Sequence, residues 1–438
     1  MNPPTAPPRI YNLFPRLAGD LTRWPEVARQ ARTMGFDWLY VNPFHYPGFS
    51  GSMYAVKDYY RVDPLLLPPD HPDAHYEEKT RGDGGIGLLR DTIAAIGALG
   101  LRPLMDLVVN HTARDSHLTT AHPDWYIRDA AGEVQSPHAI DPADARRVTV
   151  WGDLAEIDNA ASPDRDRLWQ HWTDLVTFYA ELGFEGFRAD AAYKVPAALW
   201  AHLIARARAV RPGAAFFAET LGARLEEIAS LGPAGFDYLF SSVKWWDLAA
   251  PWCLEQQRDH AAIAPSVSFP ESHDTPRLMA ETGGSVAVQK QRYALAAAFS
   301  TAVLMPIDYE RGAQRRLDVV ATRASDREPP ACDLSAFVAR VNAAKLRHSA
   351  LAVEEVVAAS PLGAPVLLLA KQADSARAWI AVNKDRHAAH ELALDGVGAR
   401  HVLRVCADCG DAAEIPTERA GPRLHLTAAE VAYLVPGA

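Results

Sequence analysis

Cysteine is scarce in this sequence, and both long apolar runs and an excess of basic residues are missing from it. Its 438 residues include only four cysteines, too few for a scaffold held together by disulfide bonds. No apolar run approaches the roughly 20 residues that a membrane-spanning helix needs, so we expect no membrane partner. The formal net charge of −10 argues against a nucleic-acid partner, because binding to phosphates needs a basic face. This charge is compatible with an enzyme that acts on a neutral ligand.

Neither the N-terminus nor the cysteine spacing indicates a special compartment. The first residues, MNPPTAPPRIYNLFPR, lack a basic region followed by an apolar stretch. We therefore predict no signal peptide and a cytoplasmic location, unless a leader has been removed.

Cys406 and Cys409 have C-x-x-C spacing, but a zinc site would need a second such pair or nearby histidines. None follows, so we interpret the pair as a turn that contains two thiols.

Short runs of apolar, β-branched or aromatic residues alternate with helical patterns over most of the chain. In the helical patterns, apolar residues recur every three to four positions. The predicted helices are Trp24–Met34, Gly87–Leu99, Arg165–Leu182, Ala197–Val210 and Val286–Ser300. The predicted strands are Ile10–Phe14, Trp38–Asn42, Arg102–Val109, Gly186–Ala189, Ala215–Ala218, Tyr238–Phe240, Ser266–Phe269 and Ala302–Pro306. Such alternation builds parallel βαβ units, and eight strands predict a closed (β/α)8 TIM barrel of the α/β class.

Two segments interrupt this alternation. Residues from about 112 to 153 contain no convincing long helix and are rich in His, Pro and Asp, which indicates a short insertion after the third strand. After about residue 350, short β runs are separated by turn residues, which is typical of an antiparallel β domain. We predict a catalytic barrel formed by residues 1–111 and 154–350, an insertion at 112–153 and a C-terminal β domain at 351–438.

Polar residues follow four of the predicted strands, at the end where a barrel carries its active site. They are Asp106, Asn110 and His111 at the end of the third strand, Arg188 and Asp190 at the fourth, Glu219 at the fifth, and His273 and Asp274 at the seventh. Charged groups beside buried strands need a partner or a function. Four such clusters at one end of a barrel therefore predict an active site.

The residue types suit the cleavage of a glycosidic bond with retention of configuration. That reaction uses two carboxyl groups about 5 Å apart, one as nucleophile and the other as acid and base. Arg188 stands two positions before Asp190, on the same face of a strand, where its charge would keep the nucleophile ionised. Glu219 follows three apolar residues, which is consistent with the dry pocket that keeps a carboxylic acid protonated. His111 and His273 could form hydrogen bonds with sugar hydroxyls.

Each of these residues also has a structural interpretation. Asp190 could simply pair with Arg188, and Glu219 could stabilise the start of the following helix. His273 could be a buried core histidine. The neighbouring Trp245 and Trp246 could stack on a sugar, but we interpret both as core residues. Three carboxylates at three strand ends favour the catalytic interpretation over the structural one.

Six stretches resemble the motifs of glycoside hydrolase family 13, the α-amylase family. Asp106–His111 resembles its DVVxNH region, Gly186–Asp190 resembles GFRxD, and Phe217–Glu219 and His273-Asp274 resemble the regions of the acid/base and of the third carboxylate. Ser52–Tyr59 and Leu154–Asn159 resemble two further regions. All occur in the order of that family, over roughly residues 9–350, and an ordered set is far more specific than a single motif.

The resemblance implies a role for each matching residue. Asp190 would be the nucleophile, Glu219 the acid/base, and Asp274 the carboxylate that binds two hydroxyls and distorts the ring. The substrate-binding residues would be Arg188, His111, His273, Tyr54, Asp106 and Lys194. Asn110 stands where many members place a calcium ligand. A Ca²⁺ ion needs about six to eight oxygens in all, and the rest of such a set is not evident. Because several members bind none, we expect that no cofactor is required, although Ca²⁺ is possible.

The sequence also resembles one branch of this family, more loosely. Tyr11–Arg16, His122–Tyr126 and Met305–Val320 resemble the maltosyltransferases that use maltose 1-phosphate. In that branch an asparagine follows the nucleophile and helps to hold the phosphate, whereas here Ala191 follows Asp190. We therefore expect a retaining hydrolase or transglycosylase that acts on α-1,4-linked glucosides or maltooligosaccharides. A maltosyltransferase and an inactive, α-amylase-like binding subunit remain as alternatives, and the sequence leaves the oligomeric state open.

Overall fold

The computed structural model describes residues 6–75, 82–141, 144–373, 376–408 and 414–436. Cys409, one half of the predicted C-x-x-C turn, lies outside these ranges. Cys253, Cys332 and Cys406 are free thiols. Within the described ranges, no helix combines the length and the apolar character that crossing a membrane requires.

Eight parallel strands close into a barrel, as predicted for the fold class. They are β1 (Arg9–Leu13), β2 (Trp38–Val41), β3 (Arg102–Leu107), β4 (Gly186–Ala189), β5 (Ala215–Ala218), β6 (Tyr238–Phe240), β7 (Ser266–Ser268) and β8 (Ala302–Pro306). Each strand pairs with its sequence neighbours, and β8 closes the barrel on β1, with Tyr11 opposite Met305. The predicted boundaries differ by at most two residues. The largest difference is in β3, which ends at Leu107 rather than Val109.

Side chains alternate between the barrel interior and the surrounding helices. In β2, Trp38 and Tyr40 belong to the core inside the barrel, whereas Leu39 and Val41 belong to the core between sheet and helices. This alternation follows from the two-residue period of a strand. Gly186 at the start of β4 accommodates Trp38, because a Cβ atom at position 186 would lie 2.6 Å from the indole ring.

Eight helices surround the barrel. They are α1 (Trp24–Thr33), α2 (Ile86–Ala98), α3 (Arg165–Leu182), α4 (Ala197–Val210), α5 (Leu225–Ala229), α6 (Trp252–Ala261), α7 (Val286–Phe299) and α8 (Ser335–Arg347). In α3, the buried positions Leu168, Trp172, Leu175 and Tyr179 recur every three to four residues and form one apolar face. Three shorter helices lie at Pro15–Ala18, His117–Ala121 and Leu278–Glu281.

The described part of the insertion after β3 has no long helix, as predicted, and it contains a hairpin that was not predicted. Its base is the antiparallel pair His111–Ala113 and Leu154–Glu156, and its outer part pairs His138–Asp141 with Asp144–Val150. A further antiparallel pair, His45–Pro47 with Val56–Val62, follows β2. Both insertions leave the barrel at the C-terminal ends of its strands, so they stand beside the predicted active site.

The C-terminal part is an antiparallel β domain, as predicted. Its six-stranded sheet has the order Val357–Ala358, Val366–Ala373, Ala376–Asn383, Val431–Val435, His401–Leu403, Thr417–Arg419, and His390–Ala393 pairs separately with Arg423–Leu426. This sheet covers α7, where the Tyr433 hydroxyl donates to the carbonyl of Ala294 at 2.6 Å. The Lys371 ammonium donates to the carbonyls of Ala298 and Phe299, which an α-helix leaves unpaired at its C-terminal end.

Candidate active site

The C-terminal strand ends surround a cavity of about 550 Å³. Asp190 follows β4, Glu219 follows β5 and Asp274 follows β7, and all three line this cavity. The other predicted residues in its wall are Tyr54, Asn110, His111, Arg188 and Lys194. Asp106 and His273 are buried beside it and contact the lining residues. The structure therefore brings the whole predicted set together, while the catalytic and binding roles stay predictions.

Asp190 is held by donors on both carboxylate oxygens. Arg188 donates from Nη1 to Oδ1 at 2.6 Å, and Asn110 donates from Nδ2 to Oδ2 at 3.2 Å. Asn110 also donates to the backbone carbonyl of Asp190 at 2.8 Å, and the Asp190 N–H donates to Leu107, the last residue of β3. These contacts hold the carboxylate in one orientation at the mouth of the barrel.

Arg188 is a buried cation between two carboxylates. Besides Asp190, it donates to Asp106, whose Oδ1 lies 3.0 Å from Nη1. Burial lowers the pKa of Arg188, but Asp106, Tyr40, Tyr54 and Asp190 together more than compensate, so the pKa lies well above its usual value. Arg188 therefore stays charged beside the predicted nucleophile.

Asp106 in turn supports the predicted sugar-binding residues. Its Oδ2 accepts hydrogen bonds from the hydroxyls of Tyr40 at 2.6 Å and Tyr54 at 2.7 Å. The Tyr54 hydroxyl also lies 2.7 Å from Nε2 of His273, and the two rings stack with centroids 5.7 Å apart. Asn42 donates to the Tyr54 hydroxyl at 3.1 Å. Sequence reasoning missed Tyr40 and Asn42, although their shared strand face and polar character were a usable signal.

Glu219 has the environment of a protonated acid. Burial raises the pKa of Glu219 to about 8; Arg188 opposes this shift, whereas the charges of Asp190 and Asp274 add to it. Two backbone N–H groups orient the side chain, from Ala191 to Oε2 at 3.0 Å and from Leu221 to Oε1 at 2.6 Å. Glu219 is therefore mostly protonated at neutral pH, as a general acid must be.

Ala191 links the two carboxyl groups through an unusual backbone conformation. It follows Asp190 and has φ 41° and ψ 51°, a left-handed conformation that costs an L-residue about 1 kcal/mol or more. In this conformation its N–H donates to Glu219. The strained residue thus ties the chain next to Asp190 to the carboxyl group of Glu219, and strain of this kind is concentrated at functional sites.

Asp274 is the most accessible of the three carboxylates, with its side chain 57% exposed. Its Oδ2 lies 3.1 Å from Nε2 of His273, and its backbone carbonyl accepts from Arg316 at 2.9 Å. A carboxylate held at its base and open toward the cavity suits the binding of neutral hydroxyl groups.

His111 faces the cavity as a neutral ring, because its burial lowers its pKa. Its Nε2 lies 3.1 Å from the carbonyl of Tyr54.

The tryptophan pair at 245–246 corrects one expectation. Trp246 is 1% exposed and belongs to the core, as predicted, but Trp245 is 50% exposed and lines the cavity. The interpretation of Trp245 as a core residue is therefore wrong. The reason is the 3-10 turn Val243–Trp245, in which consecutive side chains point to different sides. A second exposed tryptophan in the cavity wall, Trp151, was not singled out from the sequence.

Calcium binding at Asn110 stays a prediction. The amide nitrogen of Asn110 is used for Asp190, which leaves its oxygen for a cation. Glu156 and Asp158 line a second cavity together with Asn110, so oxygen donors of the kind that calcium prefers are nearby. In the described ranges, the only group of three or more His, Cys, Asp or Glu side chains close enough to share an ion is His71, Asp73 and Asp83.

Comparisons with known proteins agree with the geometry. Residues 8–143 match the family model of the glycogen debranching enzyme, glucanotransferase domain. The chain is 30% identical to an α-1,4-glucan:maltose-1-phosphate maltosyltransferase of Burkholderia pseudomallei over 89% of this chain and 34% of that protein. It is 28% identical to the protein of that name in Rhodospirillum rubrum over 67% of this chain and 44% of that protein. The chain thus spans a third to under half of the length of these relatives.

The fold is also that of solved α-amylase structures. An α-amylase from Lactobacillus plantarum superimposes with a TM-score of 0.76 at 19% identity, and the match covers 98% of both chains. A maltogenic α-amylase from Thermotoga neapolitana superimposes with a TM-score of 0.70 at 18% identity over 98% of both chains. At this level of identity, the likeness extends to the fold of barrel and β domain.

Proposed function

We propose that the chain is a member of glycoside hydrolase family 13, related to its maltosyltransferase branch, and that it is a retaining enzyme acting on α-1,4-linked glucans. The observation that carries this proposal is the pair of unlike carboxyl groups in one cavity. Asp190 is bound by a permanent cation, and Glu219 has a pKa raised to about 8. An ionised carboxylate and a protonated carboxylic acid are what double displacement requires.

In the first step, Asp190 attacks the anomeric carbon and forms a covalent bond while the glycosidic bond breaks. Glu219 gives its proton to the departing glycosidic oxygen and becomes a carboxylate. Once Asp190 is esterified, its negative charge no longer raises the pKa of Glu219, and that pKa falls. Glu219 is then stable as a carboxylate, which accepts hydrogen bonds from the N–H groups of Ala191 and Leu221. In the second step it accepts the proton of the attacking water or sugar hydroxyl, and Asp190 is released.

The pH dependence of activity should report Glu219. We expect kcat/KM to fall about tenfold per pH unit above about pH 8, because only protonated Glu219 can assist the leaving group. Initial rates on a maltooligosaccharide between pH 6 and 10 measure this decline. A rate that stays constant from pH 7 to 10 would contradict the role of Glu219.

Whether water or a sugar accepts the glycosyl group can be decided by product analysis. Purified protein is incubated with maltoheptaose, and the products are separated by chromatography. Shortened chains alone would identify a hydrolase, whereas chains both longer and shorter than the substrate would identify a transglycosylase. The Asp190→Asn variant, prepared in the same way, controls for contaminating glycosidases. If neither wild-type protein nor variant changes maltoheptaose, another α-glucoside or the inactive-subunit alternative takes precedence.

The second candidate function is transfer of maltose from maltose 1-phosphate. It is favoured by the named activity of the relatives and by Lys194, an exposed cation in the cavity wall. The Lys194 ammonium donates to the carbonyl of His138 at 3.4 Å and has two further donors for a phosphate. The methyl side chain of Ala191 offers none. Release of maltose 1-phosphate from glycogen in the presence of inorganic phosphate would select this candidate.

The remaining parts of the proposal concern domains, cofactors and location. We propose that residues 1–111 with 154–350, residues 112–153 and residues 351–438 are the three units of the chain, and that catalysis requires no cofactor. We also propose a cytoplasmic location, with which the free thiols of Cys253, Cys332 and Cys406 are compatible, because cysteines stay reduced there. Activity that survives EDTA would support the cofactor proposal, and its loss with recovery on adding Ca²⁺ would contradict it.

A further inference from the structure

Two large aromatic side chains in the cavity wall are used by none of the steps above. Trp151 is 43% exposed and Trp245 is 50% exposed, and both line the cavity that contains the three carboxylates. Tryptophan is usually well buried; the fully buried side chains of this protein include Trp24, Trp172, Trp200 and Trp246. Two half-exposed indoles in the same concave site therefore indicate a surface kept open for a ligand.

Each of the two tryptophans is held in place by its surroundings. The ring of Trp245 lies edge-on against Phe269, with centroids 6.1 Å apart and planes at 89°, and its backbone N–H closes the turn on Ser242. The backbone of Trp151 is bonded on both sides, with its N–H donating to Pro137 and its carbonyl accepting from Leu154. The ring of Trp245 is thus ordered in advance and loses little conformational entropy when a ligand stacks on it, whereas the hydrogen bonds of Trp151 fix its backbone.

The two residues come from different loops. Trp151 directly follows the hairpin strand Asp144–Val150 of the insertion, whereas Trp245 follows β6. The hairpin is joined to the loop after β4 by the hydrogen bond from Lys194 to the carbonyl of His138. The cavity wall thus carries one indole on the insertion and another on the β6 loop.

The chemistry of the wall indicates what it binds. An exposed indole presents an apolar, electron-rich face, and the C–H faces of a pyranose ring are its natural complement in a substrate whose edges are all hydroxyls. A cavity of about 550 Å³ holds more than one hexose, within the range of typical ligand sites. We propose that Trp151 and Trp245 are stacking platforms for glucose units of a bound chain, so that the enzyme selects linear α-glucans of several units over short ones.

This inference rests on the proposed function, and the test separates the two. The Asp190→Asn chain, which should bind without turnover, is titrated by calorimetry with maltose, maltotriose, maltopentaose and maltoheptaose. Affinity should rise with length. Adding Trp245→Ala or Trp151→Ala should lower the affinity for maltoheptaose about tenfold each and lower the affinity for maltose less. The same additions to the active chain should reduce the ratio of kcat/KM for maltoheptaose to that for maltose.

The chain offers a matched control in Trp252, which is 38% exposed on α6 and is absent from the cavity lining. Trp252→Ala should leave all affinities unchanged. Trp245→Phe and Trp151→Phe should recover most of the lost affinity, since a smaller aromatic face remains; they also serve if an alanine variant does not fold. Length-dependent binding that is indifferent to both tryptophans would overturn the inference and leave the proposed function standing. A folded Asp190→Asn chain that binds no maltooligosaccharide would overturn both.

Discussion

Asp190→Asn should lower kcat/KM on maltooligosaccharides by about 10⁴-fold or more, which corresponds to about 5 kcal/mol of transition-state stabilisation. An amide has the shape of the carboxylate and can still accept a hydrogen bond from Arg188, but it cannot form the covalent bond to the anomeric carbon. The bond from Arg188 is kept, and Asn110 loses its bond to the side chain but keeps the one to the backbone carbonyl of residue 190, so the fold should be intact. Initial rates and a thermal unfolding curve of both proteins measure the two effects.

Asp237 provides the matched control for this substitution. It is also paired with an arginine, since Arg208 donates to both of its oxygens at 2.8 Å, but it precedes β6 at the opposite end of the barrel. Asp237→Asn should therefore retain activity while losing some stability. Activity of Asp190→Asn close to that of the wild type, in a preparation without contaminating glycosidase, would refute the assignment of the nucleophile.

Glu219→Ala should lower kcat on natural glucans about 10³-fold, in the middle of the range for loss of a general acid. The effect should be much smaller when the covalent intermediate is formed from an aryl α-glucoside. If the phenol has a low pKa, its phenolate is a good leaving group and departs without a proton. The decline of activity above about pH 8 should disappear together with the group that causes it. Pre-steady-state release of the phenol and a pH profile with the aryl substrate measure these effects.

For this test, Glu219 is better replaced by alanine than by glutamine, for a structural reason. Both oxygens of Glu219 accept backbone N–H groups, one from Ala191 and one from Leu221. Glutamine has one oxygen, so its amide nitrogen would face an N–H donor, which costs about 1–3 kcal/mol for a buried group. Glu226, exposed on α5, is the control, and Glu226→Ala should behave as the wild type. Equal losses on natural and aryl substrates would show that Glu219 does not act as the proton donor.

Much of the barrel could be predicted because its signals are local. The eight strands are short apolar runs separated by helical periods of 3.6 residues, and every one was located to within two residues. β1 lies one residue earlier than predicted, and β2, β3 and β7 end one or two residues earlier. Val108 and Phe269, just beyond β3 and β7, are apolar and buried, so hydrophobicity alone does not show that pairing has ceased. Closure of the sheet places the strand ends together, which is why the polar residues that follow β3, β4, β5 and β7 converge.

Other features could not be predicted because they depend on neighbours that are remote in the chain. Trp245 and Trp246 are identical in type and adjacent in sequence, yet one lines the cavity and the other is core; only the packing of the β6 loop distinguishes them. The left-handed conformation of Ala191 is equally unexpected, since alanine has no preference for it. It is imposed by the chain around Asp190 and by the bond to Glu219.

The sequence by itself determined the class of fold, the residues at the mouth of the barrel and the family that they resemble, because apolar periodicity and motif order are written in consecutive residues. Only the tertiary structure decided which form Glu219 takes and which tryptophans remain open to a ligand. The pKa of Glu219 depends on burial and on Asp190, Asp274 and Arg188, which come from three other positions in the chain. Exposure likewise depends on what packs against a side chain, and that is decided when distant segments meet.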